Sequence, residues 1–234
     1  MVGRSAEKRA AAAKSLDYVR AGQIVGLGSG STAALMVELL GARVRAGLDV
    51  HGVPTSAATR RLAEAGGIPL LPLERVMRLD LTIDGADEVD PELQLIKGGG
   101  GELLHEKIVA SASDRLIIIV DSGKLVARLG GFPLPVEVVP SASRLLAEKL
   151  KALGCTPTLR PADGGPFVTT EGNHILDCAF GQIPDPRRLA RTLADLPGAV
   201  EHGLFIDMAD VVIVARGATT EVLTRQGGPV SSTG

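Results

Sequence analysis

The chain has no tryptophan, one tyrosine and four phenylalanines in 234 residues. Proteins that stack bases or sugar rings on aromatic platforms need more, which excludes that class. A surplus of one charge is missing too: 25 Lys and Arg stand against 27 Asp and Glu, a net charge of −2. Tracking a phosphate backbone requires a basic surplus, so no nucleic-acid partner is expected. No apolar run approaches the roughly 20 residues of a membrane-spanning helix, and no membrane association is expected. The run Leu116–Val120 has the length of a buried strand. Met1–Arg20 mixes Arg4, Glu7, Lys8, Arg9, Lys14 and Asp17 with alanines. It lacks the apolar middle of a secretory leader, so the expectation is a cytoplasmic protein that opens with a helix. Cys155 and Cys178 stand far apart, with no Cys-x-x-Cys and no histidine pair nearby. Neither a disulfide framework nor a structural zinc site is expected from them.

Small and branched aliphatics carry a 45% hydrophobic fraction, punctuated by 29 glycines and 14 prolines, which places the chain among ordinary globular proteins. Ser5–Arg20 is helical in composition and Gly22 ends it. Strands are expected at Gln23–Leu27, Val50–Val53, Ile68–Leu71, Leu79–Ile83 and Leu116–Val120. Helices are expected at Ala33–Leu40, Ser56–Ala65 and Glu102–Ala112. Apolar strands alternating with helices predict an α/β fold: a Rossmann-like open, mostly parallel sheet with helices on both faces. After Gly130-Gly131 the grammar changes. Val136–Val139 reads as a strand and Ser141–Leu153 as a helix with a serine cap. Strand segments follow at Thr156–Arg160, Phe167–Thr170 and His174–Ala179, then a helix at Pro186–Leu196 and a strand at Ala199–Ile206. This β-α-β-β-α-β order is that of an inserted ferredoxin-like α+β domain. Val211–Ala215 reads as a buried strand returning to the first sheet. The expected organisation is residues 1–132 with 208–234 as an α/β catalytic domain and 133–207 as the small domain, with a disordered tail from Gln226.

Three segments carry chemistry. Gly28-Ser29-Gly30-Ser31-Thr32 joins a strand to a helix, where unpaired amides and hydroxyls suit a dianionic phosphate. It lacks the third glycine of a dinucleotide fingerprint, with Ala33 in its place, and lacks a Walker lysine; a plain capped turn is the alternative. Asp80-Leu81-Thr82-Ile83-Asp84-Gly85-Ala86-Asp87-Glu88 runs a strand into a group of acids. At the C-terminal end of such a strand, Asp84 and Asp87 could bind sugar hydroxyls, hold Mg²⁺, or form a solvated turn. Lys97-Gly98-Gly99-Gly100-Gly101-Glu102 spends four consecutive glycines, an entropic cost that a purely structural loop rarely bears. Bare backbone there brings amides close to developing negative charge. Glu106 falls early in the next helix, where a dipole-complementing role is the ordinary one. Lys124 follows a strand end and Lys8 lies on the first helix. Either could neutralise a phosphate or simply face solvent.

Taken in order, the Gly28–Thr32, Asp84–Glu88, Lys97–Gly100 and Phe132–Val138 motifs resemble ribose-5-phosphate isomerase of the A type. The likeness extends through Gly172–Asp177 and Gly203–Phe205 and covers roughly residues 5–216. The resemblance implies interconversion of D-ribose 5-phosphate and D-ribulose 5-phosphate through a cis-enediolate, with no metal or organic cofactor. It makes Glu106 the proton-transfer base and puts Asp84, Asp87 and Lys97 around the reacting hydroxyls. Ser29, Gly30, Ser31 and Thr32 become the substrate loop, joined by Gly85, Ala86, Gly98, Gly99 and Gly100, with Lys124 and Lys8 as further contacts. A small-molecule sugar phosphate is the implied partner, and a homodimer or homotetramer the implied assembly. One departure stands out. The family often reads Asp-x-Ser-Lys, whereas this chain has Asp121-Ser122-Gly123-Lys124. Two alternatives stay open at this point: a related deaminase or coenzyme A transferase sharing only the glycine loops, and a non-catalytic sugar-phosphate sensor.

Overall fold

The computed structural model describes residues 3–217 and 219–225, so the tail from Gln226 lies outside the described residues. The chain opens with α1 (Arg4–Ser15), a 3-10 turn at Leu16–Tyr18, β1 (Gln23–Leu27), α2 (Ser31–Arg45), β2 (Val50–Pro54), α3 (Ala57–Gly66) and β3 (Leu81–Asp84). Two short strands, β4 (Glu88–Val89) and β5 (Leu95–Ile96), precede α4 (Leu103–Ser111) and β6 (Leu116–Asp121). Next come β7 (Leu134–Val138), α5 (Ser143–Ala152), β8 (Thr156–Leu159), β9 (Pro161–Ala162), β10 (Gly165–Pro166), β11 (His174–Ala179) and α6 (Pro186–Ala194). Last are β12 (Ala199–His202), β13 (Leu204–Phe205), β14 (Val211–Arg216) and β15 (Thr219–Thr224).

The main sheet has the order β15-β14-β6-β3-β1-β2, parallel except for the β14–β15 edge pair. Strand β6 shows why both faces are covered. Ile117 and Ile119 pack with α1 and α2 in one core; Leu116, Ile118 and Val120 pack with Ala110 of α4 and Phe205 of β13 in another. An uninterrupted Leu-Ile-Ile-Ile-Val run is what a strand buried on both faces requires. Burying each such side chain contributes about 1.5–3 kcal/mol. Three helices lie on one face. The other face holds α4 and a three-stranded sheet of order β13-β5-β4.

The β-α-β-β-α-β segment forms a four-stranded antiparallel sheet of order β12-β7-β11-β8. Its α5 and α6 bury Leu146, Leu150 and Leu193 against Val136, Val138 and Leu176. Cys155 and Cys178 are free and buried.

Several local expectations need correction. Ile68–Leu71 is not a strand but one bridge, Gly52 to Leu70, because Pro69 and Pro72 have no N–H to extend a ladder. Phe167–Thr170 is not a strand either. The Thr169 hydroxyl and the Asn173 amide instead donate to a buried Glu137 carboxylate, both at 2.9 Å. Helix α5 starts at Ser143 after a 3-10 turn at Pro140–Ala142, and no side chain caps it. Ala199–Ile206 is two strands in two sheets, broken at Gly203. A Cβ at Gly203 would stand 2.3 Å from the Lys97 carbonyl oxygen. Strand β15 has no counterpart in the expectations, since its residues are mostly exposed and lack a clear apolar period.

Candidate active site

Strand β1 sits where the chain reverses direction across the main sheet: β2 adds on one side and β3 on the other. Such a reversal leaves a crevice beyond the C-terminal strand ends. A cavity of about 360 Å³ occupies it, lined by residues from the β1–α2 turn, the segment after β3, the glycine loop, α4, and Lys8 and Lys124.

The floor is built from the end of β3. Asp84 is 1% exposed, and its Oδ1 accepts the amides of Ser29 at 3.0 Å and Gly85 at 2.7 Å. Gly28 makes this approach possible, because a Cβ there would lie 2.1 Å from Asp84 Oδ1. The other oxygen, Oδ2, lies 2.9 Å from Lys97 Nζ. The same ammonium lies 3.1 Å from Glu106 Oε2 and donates to the Gly85 carbonyl at 2.6 Å. Lys97 and Glu106 are 3% and 5% exposed, so one cation and two carboxylates share a nearly dry pocket. Apart from Lys97, Asp84 Oδ2 and Glu106 Oε2 have no partner among the described residues.

The charges are displaced accordingly. Burial pushes the Glu106 carboxyl up to about 8; Lys97 offsets part of this, and the Asp84 charge adds to it. Burial alone would lower Lys97, but the Asp84 and Glu106 carboxylates outweigh it and hold its pKa above the ordinary lysine value. Lys97 therefore stays charged, while Glu106 is poised between its two forms near neutral pH. That is the range in which a carboxylate serves best as a proton acceptor.

Above this floor, the Gly98–Gly101 turn closes with the Gly101 amide on the Gly98 carbonyl, 3.0 Å. Gly98 adopts φ +99°, a conformation that disfavours any side chain. The Gly99 amide donates to Asp87 Oδ2 at 2.8 Å, and Lys124 Nζ stands 4.0 Å from Asp87 Oδ1. At the far wall, α2 begins after Gly30 with no side-chain cap, which leaves its first amides free to meet an anion. Lys8 Nζ donates to Ser31 Oγ there at 2.9 Å.

The structure thus brings Lys8, Ser29–Thr32, Gly85, Ala86, Asp87, Lys97–Gly100, Glu106 and Lys124 around one cavity. Asp84 lies a layer deeper and reaches it through Lys97. Sequence reasoning missed Ser56, Ala58 and Glu102, which also line the cavity. It also missed Thr55 and Thr59, whose hydroxyls bond Ser29 Oγ and the Gly28 carbonyl. Their signal was the Thr-Ser pair at the end of β2 and the Ser56 cap of α3. At Gly123 a Cβ would meet Asp121 Oδ1 at 3.1 Å and Arg4 Nη2 at 3.3 Å, so a side chain there would crowd the Asp121 carboxylate and the end of Arg4. The neighbouring Ser122 turns to Glu7, which accepts its amide at 3.1 Å and its hydroxyl at 3.0 Å. No helix among the described residues is long and apolar enough to cross a membrane.

Comparison with known proteins identifies the family. The family model of ribose 5-phosphate isomerase A (phosphoriboisomerase A) matches residues 51–219. Ribose-5-phosphate isomerase A of Sphingopyxis alaskensis is 53% identical over 220 residues, covering 94% of this chain and 96% of its own. That of Rhodopseudomonas palustris is 57% identical over 215 residues, covering 89% and 93%. A D-ribose-5-phosphate isomerase solved with phospho-erythronic acid superposes with a TM-score of 0.93 at 38% identity, covering 95% of this chain and all of that one. The Methanocaldococcus jannaschii ribose 5-phosphate isomerase A superposes at 0.91 and 39%, covering 95% and 100%. Identity above 50% over most of the chain, with a family model matching residues 51–219, shows that the chain belongs to the ribose-5-phosphate isomerase A family of sugar-phosphate isomerases.

Proposed function

We propose that the cavity interconverts D-ribose 5-phosphate and D-ribulose 5-phosphate through a cis-enediolate, with Glu106 moving the proton. The observation that carries this reading is the buried Asp84–Lys97–Glu106 group beneath the glycine loop. In the open-chain aldose, Glu106 removes the proton from C2 and the electron pair moves onto the C1 carbonyl oxygen. Lys97 and the glycine-loop amides face that developing charge. Glu106 returns its proton to C1, O1 gains a proton and O2 loses one, which leaves the ketose with no net change in atoms or electrons.

The two aspartates differ in what they have to offer. Asp84 Oδ1 is fully engaged by amides and its Oδ2 by Lys97. Among the described residues, Asp87 Oδ1 has only Lys124, at 4.0 Å. Asp87 is the carboxylate with an oxygen available to a ring hydroxyl, so we assign it ring opening and Asp84 the orientation of Lys97. The α2 amides, Ser31, Thr32 and Lys8 take the phosphate. The phospho-erythronic acid bound by one relative combines the same two features, a phosphate and an oxygen-rich acid end.

Ribose 5-phosphate in a coupled assay is expected to turn over, and to do so undiminished in EDTA. Lack of turnover would sink the reading, and loss in EDTA would move it to a metal held by Asp84 and Asp87. A second expectation tests the floor. Gly28→Ala drives a methyl into Asp84 Oδ1, and a displacement of about 1 Å costs on the order of 100-fold in rate. kcat/KM measured on this variant is expected to fall by about that factor; unchanged kinetics would mean that Asp84 placement is irrelevant.

A further inference from the structure

We propose that Arg160, behind the glycine loop, is a positioning residue that sets the direction of the loop's amides. Arg160 follows β8, and its side chain is 12% exposed. The Asp177 carboxylate on neighbouring β11 accepts from its Nε at 2.9 Å and its Nη2 at 2.6 Å. That fork fixes the guanidinium plane. Nη1 is left to project toward the loop, where it donates to the Gly98 carbonyl at 3.1 Å and the Gly99 carbonyl at 3.2 Å. Phe167 braces the arrangement. Its ring lies 5.7 Å from the guanidinium and presses on Gly101, where a Cβ would stand 2.5 Å from it.

In a planar trans peptide unit, a carbonyl and the following N–H point in opposite directions. Drawing the Gly98 carbonyl toward Arg160 turns the Gly99 N–H away from it, and that N–H donates to Asp87 Oδ2 at 2.8 Å. Drawing the Gly99 carbonyl the same way turns the Gly100 N–H with it, and Gly100 lines the cavity. Consecutive glycines have no side-chain sterics to resist a peptide flip. The loop's own hydrogen bond, Gly101 amide to Gly98 carbonyl, closes the turn, and Nη1 adds a restraint from the four-stranded sheet that reaches the Gly99 carbonyl as well, so Arg160 helps set both the amide dipoles and the Asp87 carboxylate without touching the cavity.

The kinetic part of this inference rests on the isomerase reading; the conformational part does not. Arg160→Ala is compared with the unaltered chain in three measurements. Its kcat is expected to fall about tenfold or more, as for a lost charge-stabilising donor, with KM within about threefold. Millimolar guanidinium ion is expected to restore part of that kcat and to leave the unaltered enzyme unimproved. Hydrogen–deuterium exchange is expected to accelerate in the peptide spanning residues 97–102 and to stay unchanged in β1, β3 and β6. Unchanged kcat in an active enzyme, or unchanged loop exchange, overturns the proposal. A rate loss that guanidinium does not restore, accompanied by faster exchange throughout, also overturns it, since Arg160 would then be a general stabiliser. If the unaltered chain itself fails to turn over ribose 5-phosphate, the isomerase reading falls and the exchange measurement alone decides the role of Arg160.

Discussion

Glu106→Gln is expected to lower kcat by about 10²–10⁴, the span that a positioned general base contributes, while substrate affinity stays within about tenfold. Glutamine keeps the shape and one carbonyl oxygen beside Lys97 but accepts no proton. The pH dependence gives a sharper test. Glu106 works as a base only when ionised, and its folded pKa is pushed up to about 8. kcat/KM for the unaltered chain is expected to rise with pH through a midpoint near 8, and the Gln variant to lose that limb. A limb at the ordinary carboxylate value of 4.5 would show that Glu106 is not the group titrating. Stability carries the opposite sign. Between 4.5 and about 8 the unfolded chain gives up a proton that the folded chain keeps, so this group makes stability decline as pH rises. Urea unfolding of Glu106→Gln across that window is expected to lack the decline.

Lys97→Met is expected to do the largest structural damage of any single change in the site. It leaves two carboxylates facing each other at 1% and 5% exposure with no cation between them. Removing one partner from a buried ion pair costs about 3–5 kcal/mol. The cost is smaller at low pH, where Glu106 takes up a proton, and grows as pH rises; without Lys97, which lowers the Glu106 pKa, that proton is held to higher pH than in the unaltered chain. Urea unfolding at both extremes measures it. A loss under about 1 kcal/mol at high pH would mean that water already screens the group, as it does for exposed pairs. Activity is expected to fall as well, by about 10²–10³, the effect of one lost charge-stabilising donor.

What was legible in the sequence was local. The β1 strand, its Gly-Ser turn and α2 follow one another, so apolar spacing and glycine placement suffice to locate them. The Leu116–Val120 run declares burial on both faces by composition alone. The β-α-β-β-α-β order was legible from the apolar spacing of its strands and helices and from the Pro186 start of α6, although the serine cap expected for α5 is absent. What stayed illegible depends on neighbours distant in the chain. Nothing near Gly203 reveals that the Lys97 carbonyl waits 2.3 Å from its missing Cβ, so a single strand was expected where two exist. Thr55 and Thr59 look like ordinary residues around a helix start until β2 lies beside β1 and brings their hydroxyls to Gly28 and Ser29. Arg160 is an undistinguished strand-end residue until the sheet carrying it lies under the glycine loop.

The break at Gly203 has a consequence for how the protein matures. The Lys97 amide donates to the Gly203 carbonyl at 2.9 Å, and the Gly203 amide to the Pro135 carbonyl at 2.8 Å. A chain emerging from the ribosome therefore completes β1, β3, α4 and β6 long before the residue that fixes Lys97 exists. Helices and the early parallel strands form from nearer partners, whereas this clasp waits for a loop closure across much of the chain, which is entropically slow. On the proposed function, activity is therefore expected to return after secondary structure when refolding is followed by both readouts. Until that clasp closes, the buried charges at the site lack the frame that holds Lys97 between them.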